Sequence, residues 1–233
     1  MLIIQSIVNI SEVNFYIMSS IIKLRGKGVS RIINSKVMLS PLAGVTDKIF
    51  RKLVRKWAPD SLLFTEMINA TSLKHGYGTQ KIKQLDLEQG PIGVQIFDNR
   101  PFAVSEAAKL AEDSGAFLID INMGCPVKKI SRKGGGSALI NDRLLALELV
   151  KRVSNAVKIP VTVKTRLGWD NKEENIEEFL LSLQDAGAEM ITLHGRTRKE
   201  GFSGKADWDM IGKIKKLLEI PVIANGDIKN PKD

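Results

Sequence analysis

The strongest constraint on this chain is a repeated alternation. Short apolar runs of strand length recur along it, each followed by a segment with apolar residues at helical spacing. The runs are VMLSP (37–41), SLLFTEM (61–67), PIGVQIF (91–97), FLIDIN (117–122), VTVKTR (161–166), MITLH (190–194) and VIAN (222–225). Between them the spacing predicts helices. One covers 47–57 with Ile49, Phe50, Leu53, Val54 and Trp57 on a face, and one starts at Pro101 with Ala103, Ala107, Leu110 and Ala111 aligned. Others cover roughly 141–157, the segment aligning Ile176, Phe179, Leu180 and Leu183, and the segment aligning Ile211, Ile214 and Leu217. Alternation with short connections means βαβ units and a parallel sheet. KIPVTVKTR resembles EIPVIANGD, and SGAFLIDINMG resembles AGAEMITLHGR, so the units repeat. There is no GxGxxG after a strand and no Walker A pattern. Repeated units with polar residues at the strand ends point to an α/β fold of the TIM (β/α)8 type. About seven βα units are present. The expected organisation is therefore an incomplete, C-terminally truncated barrel over residues 36–233, preceded by an N-terminal extension, 1–35.

Composition narrows the function. The chain has 233 residues, enough to bury a core, and a net charge of +9, which favours a polyanionic partner or simply a well-solvated basic surface. One cysteine rules out an intrachain disulfide framework, and two histidines argue against a histidine metal site, so no metal is expected. The thiol usage suits a reducing compartment, the cytoplasm. The apolar N-terminus is interrupted by Gln5, Asn9, Glu12 and Asn14, which argues against a membrane span or secretory signal. A monomer is expected.

In a TIM barrel the chemistry sits at the C-terminal strand ends. That rim here carries Pro41 and Ala43, Glu66, Gln95, Asn122 and Cys125, Lys164 and Arg166, His194 and Arg196, then Asn225, Gly226 and Asp227. Each alone could be a solvated loop residue. Together, amide groups at Gln95 and Asn122 suit a heterocycle with imide edges. Lys164 offers charge to a ring that becomes anionic on reduction, while His194, Arg196 and the backbone near Asn225 and Gly226 suit a phosphate. That describes a flavin mononucleotide site, and a flavin would supply redox chemistry without metal ligands. Cys125, between Gly124 and Pro126, is either a small core residue or a general acid that protonates a carbon.

At these residues the sequence resembles the tRNA-dihydrouridine synthases. LSPLAGVTD, GVQIF, DINMGCPVKKI with GGGSAL, VTVKTRLGW, ITLHGRT and IANGDI match that family's motifs in order, over roughly residues 36–230. The resemblance implies reduction of particular tRNA uridines to 5,6-dihydrouridine. NADPH reduces FMN, hydride passes from the flavin N5 to uracil C6, and Cys125 protonates C5. It assigns Pro41, Ala43, Gln95, Lys164, His194, Asn225, Gly226 and Asp227 to the flavin, and Asn122 and Arg166 to the uracil. The basic run containing Lys128, Lys129 and Arg132 would hold tRNA phosphates while the following glycines let the loop close. The resemblance also implies that a further phosphate-binding segment and a helical tRNA-gripping domain are missing here. Two other readings stay open: a dihydroorotate dehydrogenase-like flavin enzyme acting on a small pyrimidine, and an inactive truncated product that binds RNA by charge.

Overall fold

The computed structural model describes residues 21–83, 85–170, 175–230 and 232–233, so expectations for residues 1–20 lie outside it. Strand β1 (Ile22–Arg25) and β2 (Ser30–Ile33) form an antiparallel hairpin. Then follow α1 (Lys48–Trp57), β3 (Leu63–Phe64), β4 (Ile68–Asn69), α2 (Ala70–Lys74), β5 (Ile92–Phe97), α3 (Pro101–Asp113) and β6 (Leu118–Asn122). After these come α4 (Lys128–Ser131), α5 (Arg143–Ala156), β7 (Val161–Arg166), α6 (Ile176–Asp185), β8 (Ile191–His194), α7 (Trp208–Leu217) and β9 (Val222–Asn225).

All strand pairings after the hairpin are parallel, in the order β3-β5-β6-β7-β8-β9, with β4 also on β5. Thus β3 and β4 are one interrupted strand, broken where the sequence led us to expect a single run, 61–67. The predicted first strand is reduced to a bridge from Leu39 to Leu63. Among the described residues the wall has the seven strand positions expected, and the fold is an α/β barrel wall of the TIM type.

The helix faces behave as their spacing demands, with one exception. Ile176, Phe179, Leu180 and Leu183 of α6 are buried, as are Ala103, Ala107 and Ala111 of α3 and Ile211 and Ile214 of α7. They pack on the outer face of the sheet in the main core. Leu110 and Leu217, at the margins of their faces, are 40% and 41% exposed. Helix α1 meets the expectation only in part: Phe50 and Val54 pack against the main core. Ile49, Leu53 and Trp57 are 80%, 50% and 62% exposed, and the buried residues are Arg51 and Arg55. Arg51 pairs with Glu88 and donates to the Thr46 carbonyl, and Arg55 donates through Nη1 and Nη2 to the carbonyls of Ala58, Pro59, Ser61 and Pro91, which leaves its buried Nε without a partner. The Thr46, Ala58, Pro59 and Ser61 carbonyls lie within six residues of the arginines and only Pro91 and Glu88 are remote in sequence, and hydropathy spacing registers none of these contacts.

A second apolar cluster fills the barrel interior at the N-terminal strand ends: Leu62, Phe64, Leu118 and Met190, capped by Leu24 and Ile33 of the hairpin. The close fit depends on Gly93, where a Cβ would lie 2.6 Å from the Phe64 ring. The described part of the N-terminal segment therefore plugs the bottom of the barrel.

Candidate active site at the strand C-termini

Parallel register places chosen residues side by side on the inner face. Gln95 aligns with Asp120 and Asp120 with Thr162; Asn122 aligns with Lys164; Arg166 aligns with His194 and His194 with Asn225. Paired residues share a face and alternate residues repeat it. Eight polar side chains thus climb the inner wall from its middle to its upper rim.

The Cys125 turn is fixed on three sides. Asn122 Oδ1 accepts from the Cys125 N–H at 3.0 Å and from the Gly124 N–H at 3.3 Å. Arg166 Nε donates to the Gly124 carbonyl at 2.8 Å, and the Ser137 N–H donates to the Cys125 carbonyl at 3.1 Å. Gly136 has φ +59, and a Cβ there would approach the Cys125 oxygen to 2.9 Å, so glycine is required for this contact. In the glycine segment, Gly135 and Gly136 are buried against this turn. Cys125 itself is half-buried. Burial pushes its thiol above the ordinary value, against opposing pulls from the Val127 amide, Arg166 and Lys164.

Lys164 Nζ donates to Asn225 Oδ1 at 2.9 Å, and Asn225 Nδ2 reaches Ser40 Oγ at 3.3 Å, tying the first and last strand positions together. Burial pulls the Lys164 ammonium down to about 8, with the charge of Asp120 opposing. His194 is pulled down to about 3, by burial first and then by Arg166, Lys164 and Arg196. Its ring is neutral at physiological pH, so any anion contact would be a hydrogen bond and not a charge pair. Arg166 Nη1 donates to the carbonyls of Thr197 and Gly201, so this side chain braces loops besides facing the interior. Arg196 is bidentate on Asp227 at 2.9 and 2.8 Å, and the Ala206 N–H also donates to Asp227. Both Asp227 and Arg196 are thereby engaged within the rim.

Pro41 and Ala43 lie on the loop after Leu39, held by the Gly44 N–H on Glu66 at 2.7 Å and by Glu66 on Lys81. Gly226 packs against the His194 ring. Lys128, Lys129 and Arg132 are exposed on and just after α4, three to seven residues from Cys125. Two residues of the site escaped the sequence analysis. Asp120 is 1% exposed inside the barrel, and its signal was a lone carboxylate within the apolar run FLIDIN. Phe202 is 81% exposed on a loop between Gly201 and Gly204, with its ring 5.8 Å from the Arg166 guanidinium and 6.2 Å from the His194 ring. Its signal was an aromatic set among turn residues. Among the described residues no cluster of three or more metal-ligating side chains occurs, and no helix is long and apolar enough to cross a membrane.

A parallel wall with an apolar plug below and a polar, cysteine-bearing rim above defines a TIM-type α/β barrel protein whose site lies at the strand C-termini. The solved histamine dehydrogenase from Rhizobium sp. 4-9 shares that fold, with TM-score 0.64 and 15% identity over 88% of this chain and 42% of the other. A 2,3-dimethylmalate lyase matches at TM-score 0.53 and 15% identity, over 83% of this chain and 69% of the other. The sequence model of the dihydrouridine synthase family (Dus) matches residues 38–233. The chain is 54% identical over 199 residues to a probable tRNA-dihydrouridine synthase 1 of Synechocystis sp., covering 85% of this chain and 56% of that protein. It is 42% identical over 200 residues to a probable tRNA-dihydrouridine synthase of Rickettsia bellii, covering 85% and 61%. Against tRNA-dihydrouridine synthase B of Vibrio parahaemolyticus the figures are 39% over 202 residues, 85% and 62%. The chain belongs to the dihydrouridine synthase family, and it spans somewhat over half the length of these relatives.

Proposed function

We propose that this chain carries the catalytic barrel of an oxidoreductase that reduces uridine in tRNA to 5,6-dihydrouridine, with Cys125 as the general acid. The observation that carries the reading is the placement of Cys125: a half-buried thiol whose ionisation burial disfavours, in a turn fixed by Asn122 and Arg166 at the mouth of the barrel. Reducing the C5=C6 bond requires a hydride on one carbon and a proton on the other. The donor set suits FMN, with Gln95 and Lys164 at the ring and Asn225, Gly226 and the neutral His194 ring toward the phosphate, while Pro41, Ala43 and Asp227 frame the same cleft. When bound, FMN would supply the hydride, with NADPH restoring it.

The chain's own groups do the rest. Cys125 transfers its S–H proton to uracil C5 as C6 is reduced. Lys164 and Arg166 favour the thiolate left behind, which regains a proton from solvent. Asn122 and Arg166 flank the base. A uridine must leave its stack to enter a barrel mouth. Exposed Phe202 offers it, or its neighbour, an aromatic face. Lys128, Lys129 and Arg132 hold phosphates beside the mouth, a use for charge that a free pyrimidine would not need.

The test is single-turnover oxidation of the photoreduced flavoprotein. Unmodified tRNA should reoxidise it and yield dihydrouridine, while free uracil or orotate should not. Cys125→Ala should retain flavin absorbance and lose product. Rapid reoxidation by the free pyrimidine, or full product from Cys125→Ala, would overturn the reading.

A further inference from the structure

Asp120 is buried in the middle of the barrel, and the proposed chemistry leaves it without a task. It stands at one end of a continuous chain of hydrogen bonds. Gln95 Nε2 donates to Asp120 Oδ2 at 2.7 Å, and Thr162 Oγ1 donates to Asp120 Oδ1 at 2.6 Å. Asn122 Nδ2 then donates to Gln95 Oε1 at 2.8 Å. The chain ends where Asn122 Oδ1 accepts from the amides of Cys125 and Gly124. Gln95, Asp120, Asn122 and Thr162 are 1%, 1%, 6% and 0% exposed, so water does not offer substitutes.

The two ends of this chain fix its direction. An ionised carboxylate only accepts, and a backbone N–H only donates. Between them lie two carboxamides, each with one donating and one accepting edge. Only one orientation of the pair satisfies every link; turning either amide sets two donors or two acceptors face to face, at a cost of a buried unmade bond. Burial raises Asp120 to about 6, with Gln95, Thr162 and Lys164 opposing, so at neutral pH it is mainly the ionised acceptor. A proton placed on the Thr162 side would leave the Gln95 link unchanged.

We infer that Asp120 is a positioning residue: through Gln95 and Asn122 it sets which amide edges face the barrel mouth and holds the turn that presents Cys125. The consequence for catalysis rests on the function proposed above; the relay itself does not.

Cys125 is the only cysteine in the chain, so its alkylation by iodoacetamide reports the turn directly, with or without flavin. Asp120→Leu should raise the alkylation rate roughly fivefold, the effect of loosening one hydrogen-bonded anchor. Asp120→Asn, which keeps an acceptor oxygen, should stay within about twofold of the unsubstituted protein. Leu118→Ala, a control below the relay, should also stay within about twofold at native conditions. The polarity is tested by reversal. Asn122→Asp faces an acceptor toward Gln95, forces its amide to turn and sets Oε1 against Asp120. Adding Asp120→Asn supplies a donor there and should recover roughly tenfold in alkylation rate relative to Asn122→Asp alone. Additive effects in this cycle would overturn the relay, and the cycle decides the matter even where Asp120→Leu does not fold. In tRNA reduction, Asp120→Leu should lower kcat roughly tenfold with KM for tRNA within about twofold. An unchanged kcat would overturn the positioning role. An unsubstituted protein that makes no dihydrouridine would overturn the proposed function but not the cycle.

Discussion

Leu118 and Asp120 sit two residues apart on the same face of β6, and both are fully buried. Leu118 belongs to a dry plug with Leu62, Phe64 and Met190, sealed by Leu24 and Ile33 of the hairpin. Asp120 begins a ladder of polar groups that rises through Gln95, Asn122 and Lys164 to the rim. The same strands build both halves, and strand periodicity serves both equally. What differs is the source of specificity. The lower half gains stability from area and shape, where neighbours are interchangeable within volume limits. The upper half depends on donor and acceptor matching, where one wrong atom leaves a buried group unpaired. A barrel of this kind separates the two tasks along its axis.

This contrast predicts opposite mutational signatures. The largest effect should come from above: Cys125→Ala lowers dihydrouridine formation by about 10²–10⁴-fold, the range for a lost general acid, with a denaturation midpoint close to that of the unsubstituted protein. A large stability loss with intact turnover of the folded fraction would break the division. Below, Phe64→Ala should cost about 3–5 kcal/mol in chemical denaturation while native-state alkylation of Cys125 is unchanged.

A pH titration sharpens the contrast further. The Asp120 pKa is raised from 3.8 to about 6, so its stabilising contribution is full below the unfolded value and is lost as pH rises through about 6. Asp120→Asn is neutral throughout. Its stability relative to the unsubstituted protein should therefore rise by about 3 kcal/mol between pH 3.8 and pH 7, and Leu118→Ala should show no such trend. The smallest effect is expected outside the barrel. Replacing Lys128, Lys129 and Arg132 by alanine should flatten the salt dependence of tRNA binding, with a slope change of roughly 2–3 in log K against log salt, and leave stability nearly unaltered. An unchanged slope would remove these residues from the RNA contact.

Much of the site was legible because it obeys strand periodicity. Asn122, Arg166, His194 and Asn225 end strands, Gln95 and Lys164 lie two residues before a strand end, and the register brings all six onto one inner face. Three features were not. Asp120 sits inside a run, where hydropathy reads a polar residue as an interruption of core. Phe202 belongs to a loop, whose path no periodicity describes. Helix α1 turns only Phe50 and Val54 of its expected face to the core, because the guanidiniums of Arg51 and Arg55 find loop carbonyls and Glu88 and so can be buried. Asp227 and Arg196 were legible as rim residues, but their bidentate pairing with each other was not.

Local pattern determined the βα units, their order, and the ring of polar residues at the strand ends. These follow from spacing within a few residues, which a sequence records directly. Only the folded chain decided that the hairpin plugs the barrel, that the glycine segment packs under Cys125, and that burial pushes its thiol up and pulls the His194 ring down. Desolvation and hydrogen-bond polarity depend on groups that arrive from other strands, and no linear spacing encodes that company.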